Sequence, residues 1–217
     1  MVESATGPAA SGEALIEELT GALQPVRRLS PAWLRAAAWG VPAMVMGWFA
    51  TRIMPIYRPD WSDPQMRWVM VEIVLALMTG AMAMVLAFGS SIAGRRAHGL
   101  WLVGMLALVW LAVSAGNIAF SPQHRPHFGA GAYCYSFMLL ASAPIMPMVI
   151  LGLRRTRAVR PGRTLAIAGV GIAFIVAGLL GFCHDGKLHL VDFIMHLVAG
   201  ATIVLLTTVL GRRFIAL

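Results

Sequence analysis

The sequence predicts an all-α, polytopic membrane protein: a bundle of six transmembrane helices preceded by a short cytoplasmic amphipathic helix. Three observations predict it. Of 217 residues, 59% are hydrophobic and only 12% charged, whereas about a quarter of a soluble domain is charged. Mean hydropathy is +0.78. Beyond residue 31 the chain divides into charge-poor runs, each close to the ~20 residues that cross a ~30 Å hydrocarbon core. A soluble enzyme, a disordered tail and a disulfide-stapled secreted module are thereby excluded; two cysteines are too few for a covalent framework.

Residues 1–31 stand apart as an N-terminal segment, and 32–217 form the membrane domain. Met1 to Ser11 is small and polar, without the apolar stretch of a signal peptide. A short helix is expected from Ser11, which would cap it, to Pro25, which would end it. Leu15, Ile16, Leu19 and Leu23 fall on one face, and Glu13, Glu17 and Glu18 line the other. Arg27, Arg28, Pro31 and Arg35 then lead to the membrane.

Six spans follow, over about 34–56, 68–93, 99–120, 132–153, 164–183 and 188–210. The charge-free part of the first is short, but Arg52 can snorkel and Trp48 can sit at the interface. The second contains Glu72. The third has no formal charge. The fourth is expected to kink at Pro144 and Pro147. The sixth carries Asp192 and His196.

The net charge of +8 is a topology signal in such a chain rather than a sign of nucleic-acid binding. One side collects Arg27, Arg28, Arg35, Arg95, Arg96, the arginines from Arg154 to Arg163, Arg212 and Arg213. The other holds only Arg52, Arg58, Arg67, Arg125 and Lys187, with Asp60, Asp63 and Asp185 offsetting part of them. The positive-inside rule puts both termini in the cytoplasm, and a bacterial inner membrane fits.

Loop parity brings Cys134, where span four opens, and Cys183, where span five closes, to the same extracytoplasmic interface. Such a pair can form a disulfide, bind a thiophilic metal, or simply pack as two small apolar residues. His124, His127, His184 and His189 gather on that side, without the spacing of a structural zinc motif. His189, Asp192 and His196 share one face at i, i+3, i+7. Glu72 and Asn117 lie about one turn inside spans two and three; a structural, bundle-holding role is favoured over an ion relay, because these polar groups do not continue across the membrane. No nucleotide loop, nucleophile elbow or paired-carboxylate site appears, so no catalysis, no small-molecule substrate and no resident cofactor are expected.

The order Leu15-Ile16-Glu17-Glu18-Leu19, Pro25-Val26-Arg27-Arg28-Leu29, Pro31 and then a first span resembles the NrsF-type anti-sigma-F factors, which are six-helix bacterial inner-membrane proteins. The two cysteines fit the same pattern, in Cys134-Tyr135-Ser136 and Phe182-Cys183-His184. In that family the second cysteine is often preceded by His and followed by Pro; here Phe182 precedes it and His184 follows. The resemblance implies a sigma-binding segment comprising Leu15 to Leu19, Leu23, Pro25, Val26, Arg27 and Arg28. Its partner would be an extracytoplasmic-function sigma factor, held at the bilayer away from core polymerase. It also implies that Cys134 and Cys183 sense heavy-metal or oxidative stress, with transient metal binding and His184, His189, Asp192 and His196 as auxiliaries.

The residues supply matching parts. A helix of about three turns is marginal alone in water, and the acids on its polar face suit a basic DNA-binding regulator better than anionic lipid. A solvated acidic face with no partner is the bland alternative. A small membrane metal transporter or thiol redox protein is the competing class, although no Cys-x-x-Cys pair is present.

Overall fold

The computed structural model describes residues 8–21, 23, 29–52, 60–64, 66–92, 94, 98–120, 131–156, 158–182 and 189–215. Seven helices occur among them, and the chain divides into two units, Met1–Ser30 and Pro31–Leu217.

The first unit holds α1 (Pro8–Gly21). It begins a turn before the Ser11 cap expected from sequence, at Pro8; proline's ring-fixed φ suits the first helical position, where its missing N–H costs nothing. It ends at Gly21, well before Pro25: glycine is the weakest helix former after proline. Leu23 thus lies beyond the helix, its N–H bonded to the Thr20 carbonyl at 3.2 Å. Thr20 Oγ1 donates back to the Ile16 carbonyl at 2.7 Å.

The second unit is an all-α bundle of α2 (Ala32–Thr51), α3 (Met66–Ser90), α4 (Leu100–Phe120), α5 (Ala132–Arg154), α6 (Pro161–Gly181) and α7 (Leu190–Ile215). Five of these, α3 to α7, are long and apolar enough to cross a membrane. The first of the six expected spans, α2, is not among them. Its 20 residues reach about 30 Å at 1.5 Å per residue, but Arg35, Pro42 and three tryptophans dilute its apolar character. The chain is a multi-pass membrane protein in which α2 differs in composition from its neighbours.

Between helices in lipid there is no hydrophobic drive, so close packing through small residues takes its place. The central helix, α6, is buried along most of its length. On one face Gly171 meets Gly80 of α3: a Cβ on Gly80 would stand 2.9 Å from the Gly171 carbonyl oxygen. On another, Gly169 lies against the Val204 backbone of α7, where an added Cβ would be 2.8 Å from Cα. The end of α2 enters beside Ile145 of α5 and Leu179 of α6, at Gly47. α4 is peripheral and packs on α3, burying Val103, Trp110, Ser114 and Asn117. Trp110 reaches further, edge-on to Phe174 of α6 at 5.4 Å and tilted against Phe193 of α7 at 6.0 Å.

Helix ends alternate, giving two faces of opposite character. At one, α2 and α6 begin while α3, α5 and α7 end; Arg35, Arg154, Arg155, Arg160, Arg163, Arg212 and Arg213 sit there. At the other lie Arg52 and Arg67 with Asp60, Asp63, Glu72 and Asp192. Arg52 folds over Trp48, its guanidinium carbon 4.6 Å from the ring centroid, as snorkelling predicts.

Candidate functional site

Two regions carry the residues singled out from sequence: the less basic end of the bundle and α1. Cys134 lies in the first turn of α5 and is a buried thiol, 5% exposed, within the main apolar core. The start of α5 is fixed by Gly131, at φ 80°, a left-handed geometry that favours glycine. It also abuts α7, where a Cβ on Gly131 would stand 3.1 Å from Met195 Cβ. One turn further in, Met138 of α5 and His196 of α7 line a common cavity of about 180 Å³ with Trp110 and Phe174. Tyr135 Oη and Thr202 Oγ1 share a 3.4 Å hydrogen bond across the same helix pair.

Cys183 and His184 lie outside the described residues, as do His124 and His127. Phe182, the residue before Cys183, closes α6 at the same end of the bundle as Cys134. Its ring meets Trp48 edge-on at 6.0 Å and Trp61 at 6.1 Å, and it packs against the Met66, Val69 and Ile73 cluster of α3. Periodicity could not have found this aromatic seat, since its members come from α2, a loop, α3 and α6.

His189 stands just ahead of α7 rather than on it; its carbonyl accepts the Phe193 N–H at 3.0 Å, the first bond of the helix. Asp192 is in the first turn of α7, where the helix dipole favours a carboxylate. Among the described residues no group of three or more His, Cys, Asp or Glu is placed to hold a metal ion. Asn117 Nδ2 donates to Glu72 Oε1 at 3.1 Å, tying α4 to α3, the structural use expected of these two groups. In the loop before α3, the Ser62 hydroxyl and the Ser62 N–H, the latter at 3.0 Å, both donate to Asp60 Oδ1. They hold the Asp60 carboxyl below the ordinary aspartate value of 3.8.

In α1 the apolar stripe is open to solvent: Leu15 is 54% exposed, Ile16 62% and Leu19 59%, and Leu23 beyond the helix is 73% exposed. Glu13, Glu17 and Glu18 are exposed too. Pro25, Val26, Arg27 and Arg28 lie outside the described residues.

The chain joins a multi-pass bundle to a separate N-terminal unit whose apolar stripe is unburied. Residues 19–216 match the NrsF family, described as negative regulator of sigma F, and the chain belongs to that family. It is a family of regulators, not of enzymes. No curated protein and no solved structure matches the chain. The match takes in Leu19, Leu23 and the Pro25 to Arg28 segment, and begins just after Leu15 to Glu18.

Proposed function

We propose that the chain is an anti-sigma factor. It sequesters an extracytoplasmic-function, sigma-F-like sigma factor at the bacterial inner membrane and releases it on heavy-metal or oxidative stress. The observation that carries the reading is the open stripe of Leu15, Ile16, Leu19 and Leu23, in a chain whose family is that of negative regulators of sigma F. A short helix with exposed leucines gains most by laying them in a partner's groove. Its glutamates favour a basic partner and speed its encounter. Pro25, Val26, Arg27 and Arg28 extend the same binding segment. In this reading both termini are cytoplasmic, and α2, long enough to cross and packed along α3 and α5, is the sixth span.

Cys134 and Cys183 form the sensor, with His184, His189, Asp192 and His196 as auxiliary polar groups. Position supports this role: Cys134 opens α5 at the end of the bundle where Phe182, the residue before Cys183, closes α6. Oxidising or metallating a thiol inside a close-packed core cannot leave the packing unchanged. α5 then offers a route to the tail. It runs unbroken from Cys134 through Pro144 and Pro147 to Arg154. Arg155 follows, its guanidinium stacked over Trp39 of α2 at 5.1 Å. One turn back on α2, Arg35 Nη2 donates to the Phe88 carbonyl at 2.6 Å. A shift of α5 is therefore felt at the first turns of α2, the helix that follows the binding segment in the chain.

The test is a sigma-dependent reporter expressed with the cognate sigma factor. The intact chain silences it, and Leu15→Glu with Leu19→Glu restores it while the protein still reaches the membrane. A reporter that stays active beside the intact chain overturns the proposal.

A further inference from the structure

The arginine-rich end of the bundle has a local geometry that a topology signal does not require. α7 has 26 residues, about 39 Å of helix, and so outreaches a ~30 Å core by nearly two turns. Its last turn carries Arg212 and Arg213. Gly211 seats this turn against Leu165, one turn into α6. Arg212 then lies across Gly162: a Cβ on that glycine would stand 2.8 Å from both Nε and Cζ of the guanidinium. Gly162 is flanked by Arg160, the residue before α6, and by Arg163 in its first turn, both exposed. Arg212 thus reaches the start of the helix at which Arg160 and Arg163 also stand. All described carboxylates of the Pro31–Leu217 unit lie at the opposite end.

We propose that Arg160, Arg163 and Arg212 hold the phosphate of an anionic phospholipid in the leaflet on that side. Two features select lipid as the occupant. The arginines sit where apolar spans end, at the depth of lipid phosphates. Guanidinium groups pair with phosphate oxygens through two parallel N–H donors, which rewards a fixed cluster over scattered charge.

The full chain, purified and placed in phosphatidylcholine bicelles with or without phosphatidylglycerol, tests this by native mass spectrometry of retained lipid. Phosphatidylglycerol is expected to stay bound, and each of Arg160→Gln, Arg163→Gln and Arg212→Gln to weaken it about fivefold, as about 1 kcal/mol per basic group implies. Arg52→Gln and Arg67→Gln, at the other end, leave retention unchanged. Gly162→Ala keeps every charge and displaces only the end of a flexible side chain; it is expected to weaken retention as well. Retention that survives Arg212→Gln, that is unchanged by Gly162→Ala, or that falls equally with Arg52→Gln would overturn the proposal. Should a glutamine variant not fold, Gly162→Ala alone decides.

Discussion

Asp60 and Asn117 make the residue-level claims that are easiest to measure. Asp60 accepts from both the hydroxyl and the N–H of Ser62, so its folded pKa is depressed. The turn's contribution is therefore complete above the unfolded value of 3.8 and is lost as pH falls through the lower folded value. Carbon-13 titration of the Asp60 carboxyl should give a midpoint below 3.8, and Ser62→Ala should raise it. Asn117 donates to Glu72 between α3 and α4. Such bonds in membranes average ~0.6 kcal/mol and reach ~1.7. Asn117→Ala should lower stability within that range in reversible unfolding from mixed micelles; no change would mean that the pair contributes nothing.

Among the elements, α6 tolerates least. Gly171→Val would drive a branched side chain into Met84 and the Gly80 carbonyl oxygen, which already stand 2.9 and 3.1 Å from an added Cβ. Overpacking of this kind costs about 1–3 kcal/mol. Gly104→Val, on the open face of α4, should cost little by the same unfolding assay. This difference was not legible in the sequence, where Gly104 and Gly171 both sit in apolar spans. Spans α3 to α7 were legible, because a run of apolar residues must cross the core whatever it packs against. α2 was less so: Arg35 counts against a span by composition, yet its hydrogen bond to the Phe88 carbonyl depends on residues 53 positions apart. The start of α1 was missed because Ser11 looked like a cap, while Pro8 sits at the first position of the helix. For the candidate site, chain order was enough to put Cys134 at the opening of α5. Its burial, and the packing of Phe182 between Trp48 and Trp61, arise from side chains on separate elements.

At the scale of the whole molecule, the account joins two ends of a bundle. Cys134→Ser with Cys183→Ser should leave sigma inhibition intact and abolish induction by a thiophilic metal; a double variant that still responds normally removes the sensor claim. Trp39→Ala should separate the two ends instead. It removes the ring under Arg155 and beside Gly152, so the thiols still react while reporter induction falls. Full induction would show that the signal does not pass from α5 to α2. The central claim is the capture of a sigma factor by the N-terminal segment, and subcellular fractionation measures it most directly. Cells expressing the full chain with its cognate sigma factor should retain that factor in the membrane pellet, and Leu19→Glu with Leu23→Glu should return it to the soluble fraction. A sigma factor that stays soluble beside the intact chain, or stays in the pellet beside the variant, would contradict the account.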